Sequence, residues 1–219
     1  MTADTSKGLA QHRPPGDGHL AISGTGRAGT TLLVRILTRL GLDTGFTLRQ
    51  CQEAGQEIGR AGLEHPISPE TAAALPDIIK TPYIADFITR SQVEGWLPLA
   101  HVIVPVRKLN QAAGSRRSVS RRAVQVGMNP LQAPGGLWDT ADPAEQEKVL
   151  AVKFHHLIEA VVEYDIPLTL LSFPRFATDS DYFVAKLLPV LAPRYGLSGT
   201  ELLAGHSAEV RREFIGDHG

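Results

Sequence analysis

Apolar positions along the chain occur either in short continuous runs or in longer stretches with helical spacing. Continuous runs are typical of strands buried in a parallel sheet, and they are "HLAIS", "DIIK" from Asp77 to Lys80, "AHVIVPVR" and "IPLTLLSF". Helical spacing is found in "TTLLVRILTRLG", "NQAAGSRRSVSRRAVQVGM", "PAEQEKVLAVKFHHLIEAVVEYD" and "SDYFVAKLLPVL". Because the two arrangements alternate, we expect an α/β fold of three layers, with a central, mainly parallel sheet flanked by helices.

The length of the chain, 219 residues, suits one such domain, which we expect over 19–219. The first 18 residues are rich in proline, glycine and polar side chains and are predicted to form a flexible leader. The leader lacks the apolar run of a signal peptide, and no later apolar segment has the length of a membrane span. We therefore expect a soluble, cytoplasmic protein, and the single cysteine, Cys51, fits a reducing compartment.

The charges of the chain are nearly balanced, with 22 Lys and Arg against 23 Asp and Glu. Such a balance gives no overall field that would attract nucleic acid or an anionic membrane. The expected partner is a small molecule, bound at a local site. No heptad pattern marks an interface, so the sequence does not determine whether the chain forms a homodimer.

Residues 21–37, "AISGTGRAGTTLLVRIL", place a glycine-rich loop between a predicted strand and a predicted helix. Gly24, Gly26 and Gly29 allow successive backbone N–H groups to face an anion, and a helix starting near Thr30 adds its positive end. In the triphosphate-binding pattern GxxxxGK[ST], Thr31 matches the hydroxyl, but Thr30 stands where the lysine belongs. The loop therefore suits a phosphate group, whereas the missing lysine disfavours hydrolysis of a nucleoside triphosphate.

The part "GRAGTTLL" resembles the 5′-phosphosulfate loop of sulfotransferases that use 3′-phosphoadenosine 5′-phosphosulfate (PAPS) as donor. The resemblance implies a P-loop type of fold, a PAPS donor and no required metal. It also implies that the donor contacts these residues: Gly26, Arg27, Ala28, Gly29, Thr30 and Thr31. In that role Arg27 stabilises charge on the bridging oxygen as the sulfuryl group leaves.

A second anion motif follows the run "HVIVPV". Arg107 stands at the end of this predicted strand, and Ser115 follows it by eight positions. The spacing resembles the 3′-phosphate motif of the same family, in which an arginine and a serine bind one phosphate group. A guanidinium with a hydroxyl suits a dianion, so the two motifs together imply binding of the whole donor.

The predicted helix after Arg107 carries four more arginines: Arg116, Arg117, Arg121 and Arg122. They either help to neutralise a bound anion or form a solvated basic surface. Only Arg116 and Arg117 are near enough to Ser115 in sequence to contact the donor.

Sulfuryl transfer also needs cations on the reacting oxygens and a base for the proton of the acceptor. "IIKTPY" resembles the "EKTPxY" strand end of some sulfotransferases, with Ile79 in place of the glutamate, and this implies a catalytic role for Lys80. The family generally takes its base, a His or Glu, from the segment after the first helix, where the candidates are Asp43, Glu53, Glu57, Glu64 and His65. We nominate His65, which precedes Pro66 at a predicted turn. One of His155 and His156 is expected to face inward from the long helix.

Two irregular segments, 44–66 and 127–143, are expected to determine which acceptor binds. Trp138 lies in the second, where it either forms an apolar wall for the acceptor or anchors the loop to the core. The chain lacks the glycine- and lysine-containing loop that covers the nucleotide near the C-terminus of cytosolic sulfotransferases, and Arg211 or Arg212 is a candidate substitute. The alternatives are a P-loop kinase that uses ATP and Mg²⁺, and an inactive nucleotide-binding or assembly protein of the same fold.

Overall fold

The structure is a computed structural model that describes residues 18–54 and 61–210. Within these ranges four strands form one parallel sheet in the order β2-β1-β3-β4. The strands are β1 (His19–Ile22), β2 (Ile78–Lys80), β3 (Leu99–Val106) and β4 (Leu168–Ser172).

Eight α-helices occur in the described ranges and connect or follow these strands. They are α1 (Thr30–Arg39), α2 (Leu48–Ala54), α3 (Ile84–Glu94), α4 (Leu109–Gln125), α5 (Gln146–Glu163), α6 (Arg175–Thr178), α7 (Ser180–Tyr195) and α8 (Gly199–Glu209). Short 3-10 helices cover Ala72–Ala74 and Pro143–Glu145.

Side chains of the sheet alternate between two separate cores, as the two-residue period of a strand requires. Leu20 and Ile22 pack on one face with Ile103 of β3, together with apolar residues of α1, α2, α7 and α8. Ala21 faces the other way and packs with apolar residues of α3 and α5. Helix α4 packs on α5. The molecule therefore has the predicted three-layer α/β architecture, and every sheet pairing in the described residues is parallel.

Some elements differ from those expected. The segment 44–66 contains helix α2 rather than only irregular chain, and β2 begins at Ile78, one residue later than predicted. Helix α8 was not predicted, although Ser198 and Glu201 form a capping box that marks its start. Residues 1–17 of the expected leader, and the candidates Arg211 and Arg212, lie outside the described residues. No helix within the described ranges is long and apolar enough to cross a membrane.

The strand order produces a switch point beside β1. The chain passes from β1 to β2 on one side and later to β3 on the other side of β1. In open parallel sheets, connections that leave in opposite directions open a crevice beyond the carboxyl ends of the two strands, where ligands bind. Here the glycine loop follows β1 and Arg107 follows β3, so both predicted anion motifs border this crevice.

Candidate anion-binding site

A cavity of about 570 Å³ lies at the switch point, a volume typical of small-molecule sites. Its wall combines the glycine loop, the ends of β2 and β3, helix α4 and residues 131–138, which we call the wall loop. Six cationic side chains line it: Arg27, Arg35, Lys80, Arg107, Arg116 and Arg122. The lining carboxylates among the described residues are Glu64 and Glu209, and the latter forms ion pairs with Arg35 and Arg39. The balance favours an anionic ligand.

The glycine loop, residues 23–29 between β1 and α1, has positive φ at Gly24, Gly26 and Gly29. Gly29 has φ 83° and directly precedes α1, and a Cβ at this position would lie 2.7 Å from the ring of Phe176. Both the left-handed conformation and the close ring therefore require glycine. Arg27, which is not glycine, also has a positive φ of 56°, a conformation that costs energy and is found disproportionately at functional sites.

Arg27 connects the two predicted motifs. Its Nε donates a hydrogen bond to Oγ of Ser115 at 3.0 Å, across a separation of 88 residues. Arg107 donates from a terminal guanidinium nitrogen to the carbonyl oxygen of Arg27 at 3.4 Å, and its guanidinium lies 5.2 Å from the ring centre of Phe173. Ser115 is buried. The structure thus brings the glycine loop and the Arg107–Ser115 motif into contact at one site.

Lys80 is buried at the end of β2, with its ammonium group in the cavity wall. Its Nζ donates to Oγ1 of Thr31 at 3.1 Å and to the carbonyl oxygen of Gly62, and lies 3.5 Å from Oε1 of Glu64. Burial lowers the pKa of Lys80, while the charge of Glu64 opposes that shift. An ammonium group from the neighbouring strand therefore reaches the glycine loop, which lacks a lysine of its own.

Arg116 is the most deeply buried of the arginines on α4, with 7% of its surface exposed. It donates to the carbonyl oxygens of Thr25 and Gly136, both at 2.7 Å, and its guanidinium lies 4.9 Å from the ring centre of Trp138. Burial lowers its pKa to about 10. Its Nε has no hydrogen-bond partner among the described residues. Two other residues that line the cavity, Ser23 and Trp138, each have a buried polar atom with this property, Oγ and Nε1 respectively.

The remaining arginines of α4 separate into different environments. Arg117 contacts Glu147 at 3.3 Å, outside the cavity, and Arg121 is exposed. Arg122 is also exposed but lines the cavity. The solvated interpretation thus fits Arg117 and Arg121, whereas Arg116 belongs to the site.

Trp138 anchors the wall loop and also lines the cavity. Its side chain is buried with Ala112, Ala113 and Leu150, and this packing anchors the loop to the core. The same side chain lines the cavity and meets the ring of Tyr83 edge to face at 5.5 Å. An anchored aromatic residue gives this side of the cavity a fixed apolar wall.

His65 has a different role from the one nominated. Its Nδ1 accepts the backbone N–H of Lys80 at 2.9 Å, so in the neutral ring the proton is on Nε2, which donates to the carbonyl oxygen of Thr44 at 3.1 Å. Burial lowers its pKa and keeps the ring neutral. Both nitrogens are engaged by backbone groups, and His65 does not line the cavity. The geometry therefore assigns it a structural role beside β2, not that of the base.

Among the other candidate bases, Glu64 is the described carboxylate that faces the cavity. Asp43 accepts backbone N–H groups of Gly45 and Asp77, and Glu53 pairs with Arg49 on the surface. Glu57 lies outside the described residues. The expectation of one inward histidine on α5 is wrong, since His155 and His156 are both exposed.

No cluster of three or more His, Cys, Asp or Glu side chains suited to a metal ion occurs within residues 18–54 and 61–210. Comparisons of the chain with protein-family models, with curated proteins and with solved structures found no match.

Proposed function

We propose that this protein transfers a sulfuryl group from PAPS to a hydroxyl or amine of a small-molecule acceptor and releases adenosine 3′,5′-bisphosphate. The observation that carries the proposal is the hydrogen bond between Arg27 and Ser115. It unites a loop suited to the 5′-phosphosulfate with a motif suited to the 3′-phosphate. A ligand with two separate anionic groups fits such a site better than an ordinary mononucleotide does.

The charges at the strand ends also support this function over that of a kinase. Lys80 does supply the ammonium group that position 30 lacks, as a triphosphate site requires. A P-loop kinase, however, holds Mg²⁺ with the loop hydroxyl and a nearby aspartate. Here the strands on both sides of β1 end in cations, Lys80 and Arg107, and the hydroxyl of Thr31 already accepts a hydrogen bond from Lys80.

In the proposed reaction the donor supplies an activated sulfuryl group, whose bond to the phosphate oxygen breaks as the acceptor oxygen or nitrogen bonds to sulfur. Glu64 takes the proton of the acceptor, because its carboxylate lines the cavity and has 43% of its side-chain surface exposed. Lys80 and Arg27 stabilise negative charge on the sulfuryl and leaving oxygens. The wall loop provides the apolar surface against which the acceptor lies.

Substitution of Arg107 tests the assignment of the second motif. Arg107→Ala should weaken binding of adenosine 3′,5′-bisphosphate by tenfold or more, about 1.4 kcal/mol, because the guanidinium is the proposed partner of the 3′-phosphate. Binding of AMP, which lacks that phosphate, should change by less than threefold. Isothermal titration calorimetry of both ligands measures the difference.

Arg121→Ala is the matched control, since Arg121 is exposed on α4 and does not line the cavity. It should leave both affinities unchanged. Equal weakening of the two ligands by Arg107→Ala would contradict the 3′-phosphate assignment. Absence of bisphosphate binding by the unmodified protein at millimolar concentration would contradict the proposed function itself.

A further inference from the structure

The glycine loop and the wall loop are bridged by the buried guanidinium of Arg116, and we call the contact between Thr25, Arg116 and Gly136 the seam. One terminal nitrogen of Arg116 donates to the carbonyl oxygen of Thr25 in the glycine loop, and the other donates to that of Gly136 in the wall loop, each at 2.7 Å. The fork of an arginine can make two such bonds in fixed directions, which the ammonium group of a lysine cannot do. Arg116 therefore fixes the spacing of the two loops.

The two loops meet at very close range around this side chain. A Cβ on Gly26 would lie 2.7 Å from a terminal nitrogen of Arg116, and a Cβ on Gly135 would lie 3.0 Å from a terminal nitrogen of Arg27. Each loop thus carries a glycine where an arginine side chain passes close to the backbone. At these contacts a displacement of the glycine loop bears on Arg116, which is bonded to the wall loop through Gly136.

The charge of Arg116 has no carboxylate in hydrogen-bonding contact among the described residues. Its direct contacts are two carbonyl oxygens and the face of Trp138, and its Nε is unpartnered. The charges of Glu64 and Asp139 stabilise this cation from a distance, but burial outweighs them. An anion that enters the same cavity removes part of the remaining cost. Occupation of the glycine loop by an anion should therefore stabilise the contacts of Arg116 with both loops.

We propose that Arg116 is a positioning residue that couples anion binding at the glycine loop to the ordering of the wall loop, so that the bound donor completes the acceptor site. The inference deepens the proposed function, because the donor is then the anion. The coupling through Arg116 would act in the same way with any nucleotide whose anionic group binds at this loop. Trp138 lies in the wall loop directly against Arg116, so its fluorescence should report the coupling.

The test uses the full chain with Trp96→Phe, which leaves Trp138 as the only tryptophan. The probes are adenosine 3′,5′-bisphosphate and ATP with Mg²⁺. Calorimetry establishes which of them binds, tryptophan fluorescence follows Trp138, and hydrogen exchange follows the peptide that contains the wall loop. A probe that binds should shift the fluorescence and slow exchange of that peptide by about tenfold.

Arg116→Met should remove this coupling, because it keeps the bulk of the side chain and deletes both bonds across the seam. A bound probe should then slow wall-loop exchange by less than about twofold, even when its concentration is raised to saturate the weakened site. Arg116→Lys should also lose the coupling, although it keeps the charge. The control is Arg117→Met, the same change one residue away and outside the cavity, which should behave as the parent does. Circular dichroism establishes that each variant is folded.

The possible outcomes separate this inference from the proposed function. Binding of either probe without a response of Trp138 and the wall loop overturns the inference, as does a full response in folded Arg116→Lys. A coupled response to ATP with Mg²⁺ alone supports the inference and contradicts the sulfotransferase proposal. If neither probe binds to the parent chain, both are overturned.

Discussion

Glu64 lines the cavity and is the proton acceptor in the transfer that we propose. Glu64→Gln keeps the size and hydrogen-bonding capacity of the side chain but cannot accept the proton, so kcat should fall by about 10²- to 10⁴-fold. Bisphosphate affinity should change little, because Glu64 is not one of the cationic donor contacts. Steady-state kinetics with calorimetry separates the two effects, and the exposed Glu70→Gln is the control. Unchanged kcat in Glu64→Gln would remove Glu64 from the mechanism.

The neutral ring of His65 should make stability depend on pH. Burial lowers its pKa in the folded protein, so below the ordinary value of 6.5 the unfolded chain binds a proton that the folded chain does not. The free energy of unfolding should therefore fall as the pH drops from about 7.5 to 5.5. His65→Gln can donate and accept in the same two directions without titrating, and denaturant unfolding at both pH values should show a smaller loss. An equal loss would mean that other groups cause it.

Residue chemistry explains which site residues the sequence could identify. Arg27 lies in the glycine loop, Lys80 and Arg107 lie at strand ends, and Ser115 follows Arg107 at a recognisable spacing. The structure places these four residues together. The sequence suggested His65 as the base because a pattern of residue types does not show that both of its ring nitrogens bond to backbone groups. The closeness of Arg116 to Thr25 arises from packing across a separation of 91 residues, which no local pattern records.

The two ends of α1 offer a direct comparison between left-handed glycines, since Gly29 precedes the helix and Gly41 follows it. Gly41→Ala meets no atom within 4 Å, so it should lose only about 1 kcal/mol for its backbone conformation, φ 78°. Gly29→Ala has the same conformational cost and also meets Phe173 and Phe176 within 3.0 Å, which should add about 1–3 kcal/mol. Denaturant unfolding measures both values, and calorimetry should show bisphosphate binding impaired in Gly29→Ala alone. Equal losses of stability would show that the ring contacts are not tight.

The sequence could predict those elements whose local pattern agrees with their packing in the fold. β1, β3 and β4 are continuous apolar runs, and α1 and α5 have strong helical spacing, so their local patterns agree with their tertiary environment. Helix α2 lies among polar residues and buries only Cys51 and Ala54, so its apolar signal is weak. The capping box formed by Ser198 and Glu201 is a local signal from which the start of α8 can be predicted.

The alternation of strands and helices along the chain predicted the three layers of the molecule. It did not predict the order of the strands in the sheet. The order β2-β1-β3-β4 determines that the glycine loop lies between Lys80 and Arg107. The closeness of these three elements results from pairing between strands that are distant in sequence. The cavity, and the excess of cationic over anionic side chains in its wall, result from the same pairing. The proposal of a donor with two anionic ends depends on this assembled geometry rather than on either motif alone.

The most direct test of the account is thermal unfolding of the protein with adenosine 3′,5′-bisphosphate, AMP, or ATP with Mg²⁺ at equal concentrations. A ligand at 100 times its Kd stabilises the folded state by about 2.7 kcal/mol, and each kcal/mol raises Tm by about 2–4 °C in a domain of this size. We predict a clear increase in Tm with the bisphosphate, a much smaller one with AMP, and none with ATP and Mg²⁺ beyond that of AMP. An increase with ATP and Mg²⁺ alone would contradict the account.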